Sequence, residues 1–315
     1  MIDIENSNIL KKRFVKDFDI PISVFKEPIF TNRINLFDTL FESKSKWERF
    51  VQEVNQFKSE QDYLEYYNHI KDVIIDHIKN KPEYQEFITY DYNKYKVNNY
   101  GIGDHGVFVP KNHNRTLLSF DLKKANFQAL KFFSSNLVDN LNTYEEFISQ
   151  FTNLNHIIKS KYIRQVIFGT CNPKRQVTIE KYLMSGIMDL LIGCSKEMPI
   201  KILTYMHDEI VVDVTDSTEL MLNILKSTVN NFIETENIEV KSEIYQVYNI
   251  PETEFYIQYF NDGTYKFKGL SSLFYPIVIK QMNKLTVENE DLTFYHEGYL
   301  SRFIDIPQFK SKDKG

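Results

Sequence analysis

The sequence predicts an α+β fold: an antiparallel sheet with helices packed on one of its faces. Three observations predict it. Between residues 111 and 250, short β-branched and aromatic runs alternate with longer segments whose apolar residues recur every three or four positions. Two of the runs, in the stretch ILTYMHDEIVVDV (202–214), are separated by so short a link that they must pair antiparallel. With 315 residues, 42% hydrophobic and 26% charged, the chain can bury a sizeable core rather than stay disordered.

Residues 1–110 read as helical and polar. SKSKWERFVQEVNQF and SEQDYLEYYNHIKDVIIDHIKN both carry apolar residues at helical spacing, and Ser59, three residues before Asp62, offers a capping signal. The stretch NNYGIGDHGVFVPKNHNR is a turn-rich connector. Its Gly-x-Gly lacks the pattern of a phosphate loop, and His105 and His113 read as surface residues.

TLLSF (116–120) is a short buried strand ending at Asp121, and KKANFQALKFF follows as a helix with Ala125, Leu130 and Phe133 apolar. NHIIKSKYIRQVIFG predicts one helix over 155–169, stopped by Gly169. Asn172 is the expected N-cap and Pro173 the first residue of a helix over 173–192, ending near Gly193. After the hairpin, Asp216-Ser217-Thr218-Glu219 caps a helix to about 234, and IEVKSEIYQVY reads as a further strand. Residues 251–315 open with a strand-turn-strand signal at Asn261-Asp262-Gly263 and carry no assignable role.

Composition narrows the class. Cys171 and Cys194 have no metal-type spacing, so neither a disulfide framework nor a zinc site is implied. The N-terminal MIDIENSNILKKRF has no apolar signal core and no window reaches membrane-span length, so the expectation is a soluble, cytoplasmic protein without a membrane partner. The net charge of -5 opposes a nucleic-acid partner at first sight. Its distribution does not: Lys159, Lys161, Arg164, Lys174, Arg175 and Lys181 face the single acid Glu180 within one short stretch. By itself such a run is most often a solvated helix face.

The hairpin tip is the second departure. Tight turns favour Asn-Gly or Asp-Gly, yet this one offers His207-Asp208-Glu209 and no glycine. If the strand ending at Asp121 lies beside the hairpin, Asp121 and Asp208 converge at one end of the sheet. Paired aspartates there suit two Mg²⁺ ions, with Mn²⁺ as a substitute, roughly 3.5–4 Å apart. Magnesium takes few protein oxygens, so these two carboxylates and the backbone carbonyl of Leu122 suffice, with Glu209 as a weaker or supporting ligand. Lys161, Arg164 and Phe168, at i, i+3 and i+7, share a helix face on which cations could hold a nucleoside triphosphate while the ring stacks on its base. The competing reading of Phe168 is a core residue.

SFDLKKANFQALK, KSKYIRQVIFG and YMHDEIVVDV, in that order, resemble motifs A, B and C of the family A (DNA polymerase I type) polymerases, over about residues 115–215. The resemblance implies a palm-like sheet at 111–250 with reduced fingers at about 150–193, a thumb-like or accessory region at 1–110, and a C-terminal extension at 251–315. It implies a two-metal, template-directed DNA polymerase without a proofreading exonuclease, with Asp121 and Asp208 catalytic. Arg164 matches the basic residue four positions before the Phe-Gly pair. The helix that leads into the third motif touches primer and template in this family, which implies such contacts for Lys174, Arg175 and Lys181, and a positioning role for His207.

The chain also departs from the family. Asn126 replaces a glutamate that helps to exclude ribonucleotides, Asn172 replaces an aromatic residue, and only 40 residues separate Phe168 from Asp208. A single-subunit RNA polymerase, a primase-like or template-independent transferase, and a non-catalytic polymerase-like nucleic-acid-binding subunit therefore stand as alternatives, as does an unrelated α+β domain with an acidic hairpin. The implied partners are a primer–template, nucleoside triphosphates and further protein subunits. Abundant Ile, Asn and Lys suggest an AT-rich phage, virus or mobile element, hence the host cytoplasm.

Overall fold

Strand β1 (Thr116–Leu122) organises the molecule, because its alternate residues belong to two different cores. Leu118, Phe120 and Leu122 point into the main core, whereas Leu117 joins Val211, Tyr245, Val247, Tyr256 and Val107 in a smaller cluster on the opposite face. The computed structural model describes residues 2–103, 106–251 and 253–309. In it β1 is flanked by β3 (Glu209–Asp213) and β4 (Val240–Asn249); β2 (Lys201–Tyr205) lies outside β3, and β5 (Tyr256–Phe260) and β6 (Tyr265–Lys268) extend the other side. Every neighbouring pair is antiparallel. The fold is α+β, as the sequence predicts, with the helices on the main-core face.

Those helices form for local reasons. Ser59 accepts from the backbone N–H of Asp62 and starts Glu60–Lys79, and Thr218 accepts from Met221 to start Glu219–Glu236. The helix expected over 155–169 is instead two pieces, a turn Asn155–Ile158 and a helix Lys161–Gly169. Ser160 separates them: its hydroxyl accepts from Ile163 N–H at 3.0 Å and donates to Asp17 at 3.0 Å, giving the chain a new N-cap where the periodicity alone runs on.

Asn172 also differs from expectation. It makes no side-chain cap but takes φ +59°, a left-handed conformation that Asn tolerates, so that the chain can reverse sharply after Thr170. Gln176, one turn on, donates to the carbonyls of Phe168 and Cys171 in its place. Pro173 opens the following helix, which runs to Cys194.

The ends of the chain belong to the same core, which runs from Ile4 to Ile279. Helix Ile29–Leu36 meets the C-terminal region through a buried ion pair, Arg33–Asp291 at 3.1 Å. The signal at Asn261-Asp262-Gly263 becomes the β5–β6 turn, followed by helix Tyr275–Met282 and a separate hairpin, β7 (Thr293–His296) with β8 (Tyr299–Arg302). His113 is exposed and its Nδ1 accepts from Asn249 N–H, while His105 lies outside the described residues. Both cysteines are free, and among the described residues no helix is long and apolar enough to cross a membrane.

Candidate active site

The site is made by two backbone hydrogen bonds. Met206 N–H donates to the Glu209 carbonyl at 2.8 Å, closing the β2–β3 link so that His207 and Asp208 alone form its tip. Neither tip residue takes a positive φ, which is why no glycine is needed. Leu122 N–H then donates to the Asp208 carbonyl at 2.8 Å, stitching the tip to the end of β1. Asp121 and Asp208 are thereby brought together, with Glu209 directly across from Asp121 on β3 and Lys241 across from it on β4.

Both aspartates line a cavity of about 350 Å³, together with Asn126, Lys161, Arg164 and Glu180. Its electrostatics are those of crowded carboxylates. Burial raises the pKa of Asp121 and the charge of Asp208 raises it further, while Lys241 and Lys266 pull it back. Glu180, only 2% exposed, is pushed up to about 7 by burial and by Asp208. Its Oε1 has no hydrogen-bond partner, and its Oε2 lies 3.9 Å from His207 Nε2, which is 3.6 Å from Asp208. Burial holds Arg164 below its ordinary pKa, and its guanidinium lies 5.8 Å from the centre of the Tyr144 ring, with Nε buried and unpartnered. Lys161 is exposed and pairs with Asp19 at 2.8 Å.

Other residues singled out in the sequence lie elsewhere. Phe168 is fully buried, packed 6.1 Å from Tyr144 and 6.3 Å from Phe127 between ring centres. It has no surface to offer a base, which corrects the stacking expectation: the neighbouring aromatic residues, not the cations on its own helix, decide what it faces. Glu209 lines an adjoining cavity of about 330 Å³ on the opposite face with Tyr245, Gln258 and Lys268. Burial raises its pKa, with Asp121 contributing. Lys174 and Lys181 are exposed on the long helix, whereas Arg175 turns inward and donates to the carbonyls of Phe87 and Tyr90 at 3.3 and 2.9 Å.

Three residues at the site were not anticipated. Lys124 lines the cavity and pairs with Glu145, Lys241 is placed only by strand register, and Glu180 is the buried third carboxylate. Glu180 had left a signal: it is the one acid in the basic run and lies four residues before Met184 and seven before Ile187, in the apolar stripe of its helix.

The side chains that could hold a cation here are Asp121 and Asp208. The donor set is hard oxygen, and the repulsion that raises Asp121 is what a bound cation would relieve. Among the described residues no group of three or more His, Cys, Asp or Glu side chains is disposed to hold a metal, so such an ion would draw on backbone, water or substrate oxygens for its remaining ligands.

No family model and no curated protein matches this chain. Among solved structures it is similar to the family B DNA polymerase from the hyperthermophilic archaeon Pyrobaculum calidifontis, at 11% identity and a TM-score of 0.27. That match covers 56% of this chain and 30% of the polymerase chain.

Proposed function

We propose that the protein is a template-directed nucleotidyltransferase, a minimal DNA polymerase with a family A type palm. One observation carries the reading: Asp121 of a strand, Asp208 at the neighbouring hairpin tip and two cations from one helix line a single open cavity. Nothing in the packing of a sheet calls for two carboxylates at converging strand ends, and placing them together raises the free energy of the site unless cations are bound.

Asp121 and Asp208 would hold two Mg²⁺ ions, with the Leu122 carbonyl and water or substrate oxygens as further ligands, whereas Glu209, which lines the other cavity, would support them only from its place across from Asp121. Bound there, the ions would supply charge neutralisation at the reacting phosphate and activation of a hydroxyl. Arg164 binds the triphosphate with its planar fork, and Lys161 adds a point charge at the mouth. His207, between Glu180 and Asp208, orients the Asp208 carboxylate. Asn126, which lines the cavity where the family has a glutamate and is neutral and small, would leave sugar choice relaxed.

A second reading, a polymerase-like subunit that binds nucleic acid without catalysis, is favoured by the burial of Phe168 and the partial burial of Arg164. Extension of a labelled primer on a DNA template separates the two, with Mg²⁺ or Mn²⁺, dNTPs and rNTPs in separate lanes and a lane without template. Template-dependent extension by the wild type that is lost in Asp208→Asn is expected. A wild type that binds the primer–template but extends nothing overturns the catalytic reading.

A further inference from the structure

Beside the candidate site, on the long helix and the segment packed on it, the chain assembles tyrosines, and lysines beyond the Lys174 and Lys181 already expected to meet primer or template, that the metal chemistry does not use. The segment TYDYNKYKVNNY (89–100) is almost devoid of regular structure, yet it is held firmly. Arg175 donates to Tyr90 C=O at 2.9 Å and lies 4.5 Å from the Tyr92 ring centre. Tyr100 donates to Asp189 at 2.9 Å. Between these anchors the rings form a chain: Tyr90 to Tyr95 at 5.8 Å, and Tyr95 to Tyr182 of the helix at 5.0 Å. Tyr182 is still 37% exposed.

The cations are the second observation. Lys94 and Lys96 flank Tyr95, Lys181 flanks Tyr182, and Lys174 lies two turns before Lys181 on the same helix face. Among the described residues none of the four is in an ion pair, although the chain carries 43 acidic against 38 basic side chains. The carboxylates near these groups in the sequence are engaged elsewhere: Glu180, next to Lys181, is buried, Asp189 accepts from Tyr100, and Asp91 accepts from Asn93 N–H at 3.1 Å. Tyr205, three residues before Asp208, donates to the Lys181 carbonyl at 3.0 Å, which ties the helix turn that carries Lys181 and Tyr182 to the strand that runs into the hairpin tip.

Lys94 lies 5.0 Å over the Tyr90 ring, and no carboxylate among the described residues neutralises any of the four lysines. Partly exposed rings in a row, interleaved with such cations, are what a single strand of nucleic acid needs: faces on which bases stack and charges that track the phosphates. We infer that Tyr90, Tyr95 and Tyr182, with Lys94, Lys96 and Lys181, form a binding track for single-stranded nucleic acid. Its role as a feed for template or primer rests on the proposed function, but the binding itself does not.

The test is fluorescence anisotropy of labelled oligo-dT and oligo-rU on the full chain in EDTA, so that a metal at the aspartates plays no part. Tyr182→Ala weakens binding by about tenfold, while Tyr182→Phe, which keeps the ring and its packing on Tyr95 and Phe132, retains it. Lys94→Ala with Lys181→Ala lowers the slope of log affinity against log salt by about 1.4, as loss of two phosphate contacts on a single strand requires. Comparison of the two oligonucleotides shows whether DNA or RNA is the preferred strand.

Asp208→Asn binds as the wild type does, which separates this inference from the catalytic one. Loss of extension in Asp208→Asn with unchanged binding supports both, and strand binding without any extension sinks only the polymerase. Affinity within about twofold of wild type in a folded Tyr182→Ala, judged by circular dichroism, overturns the track. So does an effect of the variants confined to self-association in light scattering, which would make the surface a protein contact.

Discussion

Replacing Glu53 by alanine should detach the N-terminal helices from the segment that carries the cationic face of the site. Glu53 ends the helix Ser43–Val54 and accepts from Asn155 N–H at 2.8 Å, from His156 N–H at 3.0 Å and from His156 Nδ1–H. His156 is fully buried, edge-on to Phe50, and its Nε2 accepts from the Tyr63 hydroxyl at 2.9 Å, so a neutral ring satisfies both nitrogens. Truncation leaves three donors without their acceptor. Each buried donor left unmade costs about 1–3 kcal/mol, part of it recovered by water entering the gap. The expected loss, summed over the three donors with part recovered, is about 3–5 kcal/mol.

Urea unfolding followed by tryptophan fluorescence reads this directly. Trp47, the only tryptophan, lies on the same helix and packs on Phe14, Phe30 and Phe50. The pH dependence supplies a second check. Burial alone would raise the Glu53 pKa, but the hydrogen bonds from His156 and Asn155 more than offset it and leave the group below its ordinary value. A depressed carboxylate stabilises the fold above its unfolded pKa and loses that contribution as the pH falls through the folded one. The gap between wild type and Glu53→Gln should therefore hold from neutral pH to about 5 and close below about 4. A loss under about 1 kcal/mol for Glu53→Ala, or a gap that ignores acid, would refute the argument.

Three further outcomes follow from named contacts. Phe168→Ala should cost about 3–5 kcal/mol in unfolding experiments while leaving the nucleotide preference of any activity intact; a changed preference at unchanged stability would return the ring to the substrate. Gly186→Ala should destabilise by about 1–3 kcal/mol instead of gaining the ~1 kcal/mol that alanine brings to a helix, because its Cβ would fall 2.4 Å from the Phe232 ring; a raised midpoint in a thermal melt would show that the ring yields. Asn126→Glu should shift incorporation toward dNTPs over rNTPs by roughly tenfold in paired extension assays, and an unaltered ratio would remove Asn126 from sugar choice.

What the sequence disclosed about the site depended on the range of the forces involved. The convergence of Asp121 and Asp208 was readable because it needs only strand period, a short link and one antiparallel neighbour, all local or nearly so. Phe168 was misread for a complementary reason. Helical spacing says which residues share a face, but not what covers it, and here Tyr144 and Phe127 arrive from elsewhere in the chain to bury the ring. The break at Ser160 had the same origin: Asp17, 143 residues away, takes the hydroxyl proton and makes a cap worthwhile inside an apparently continuous helix. Lys241 became a neighbour of Asp121 only through strand register.

Glu180 joins these two levels of description. A glutamate in an apolar stripe conflicts with the packing that makes the stripe, and its burial beside Asp208 opposes its charge a second time. Core packing alone would be served as well by leucine or methionine at that position, without an unpartnered carboxyl oxygen. The opposing costs all arise at one place, the cavity wall where Glu180 and Asp208 lie on either side of His207, and bound cations would reverse their sign there. On the proposed reading, the acid is explained by the cations the cavity would hold rather than by the fold around it, and so are Asp121 near the end of a core strand and Asp208 at the neighbouring hairpin tip.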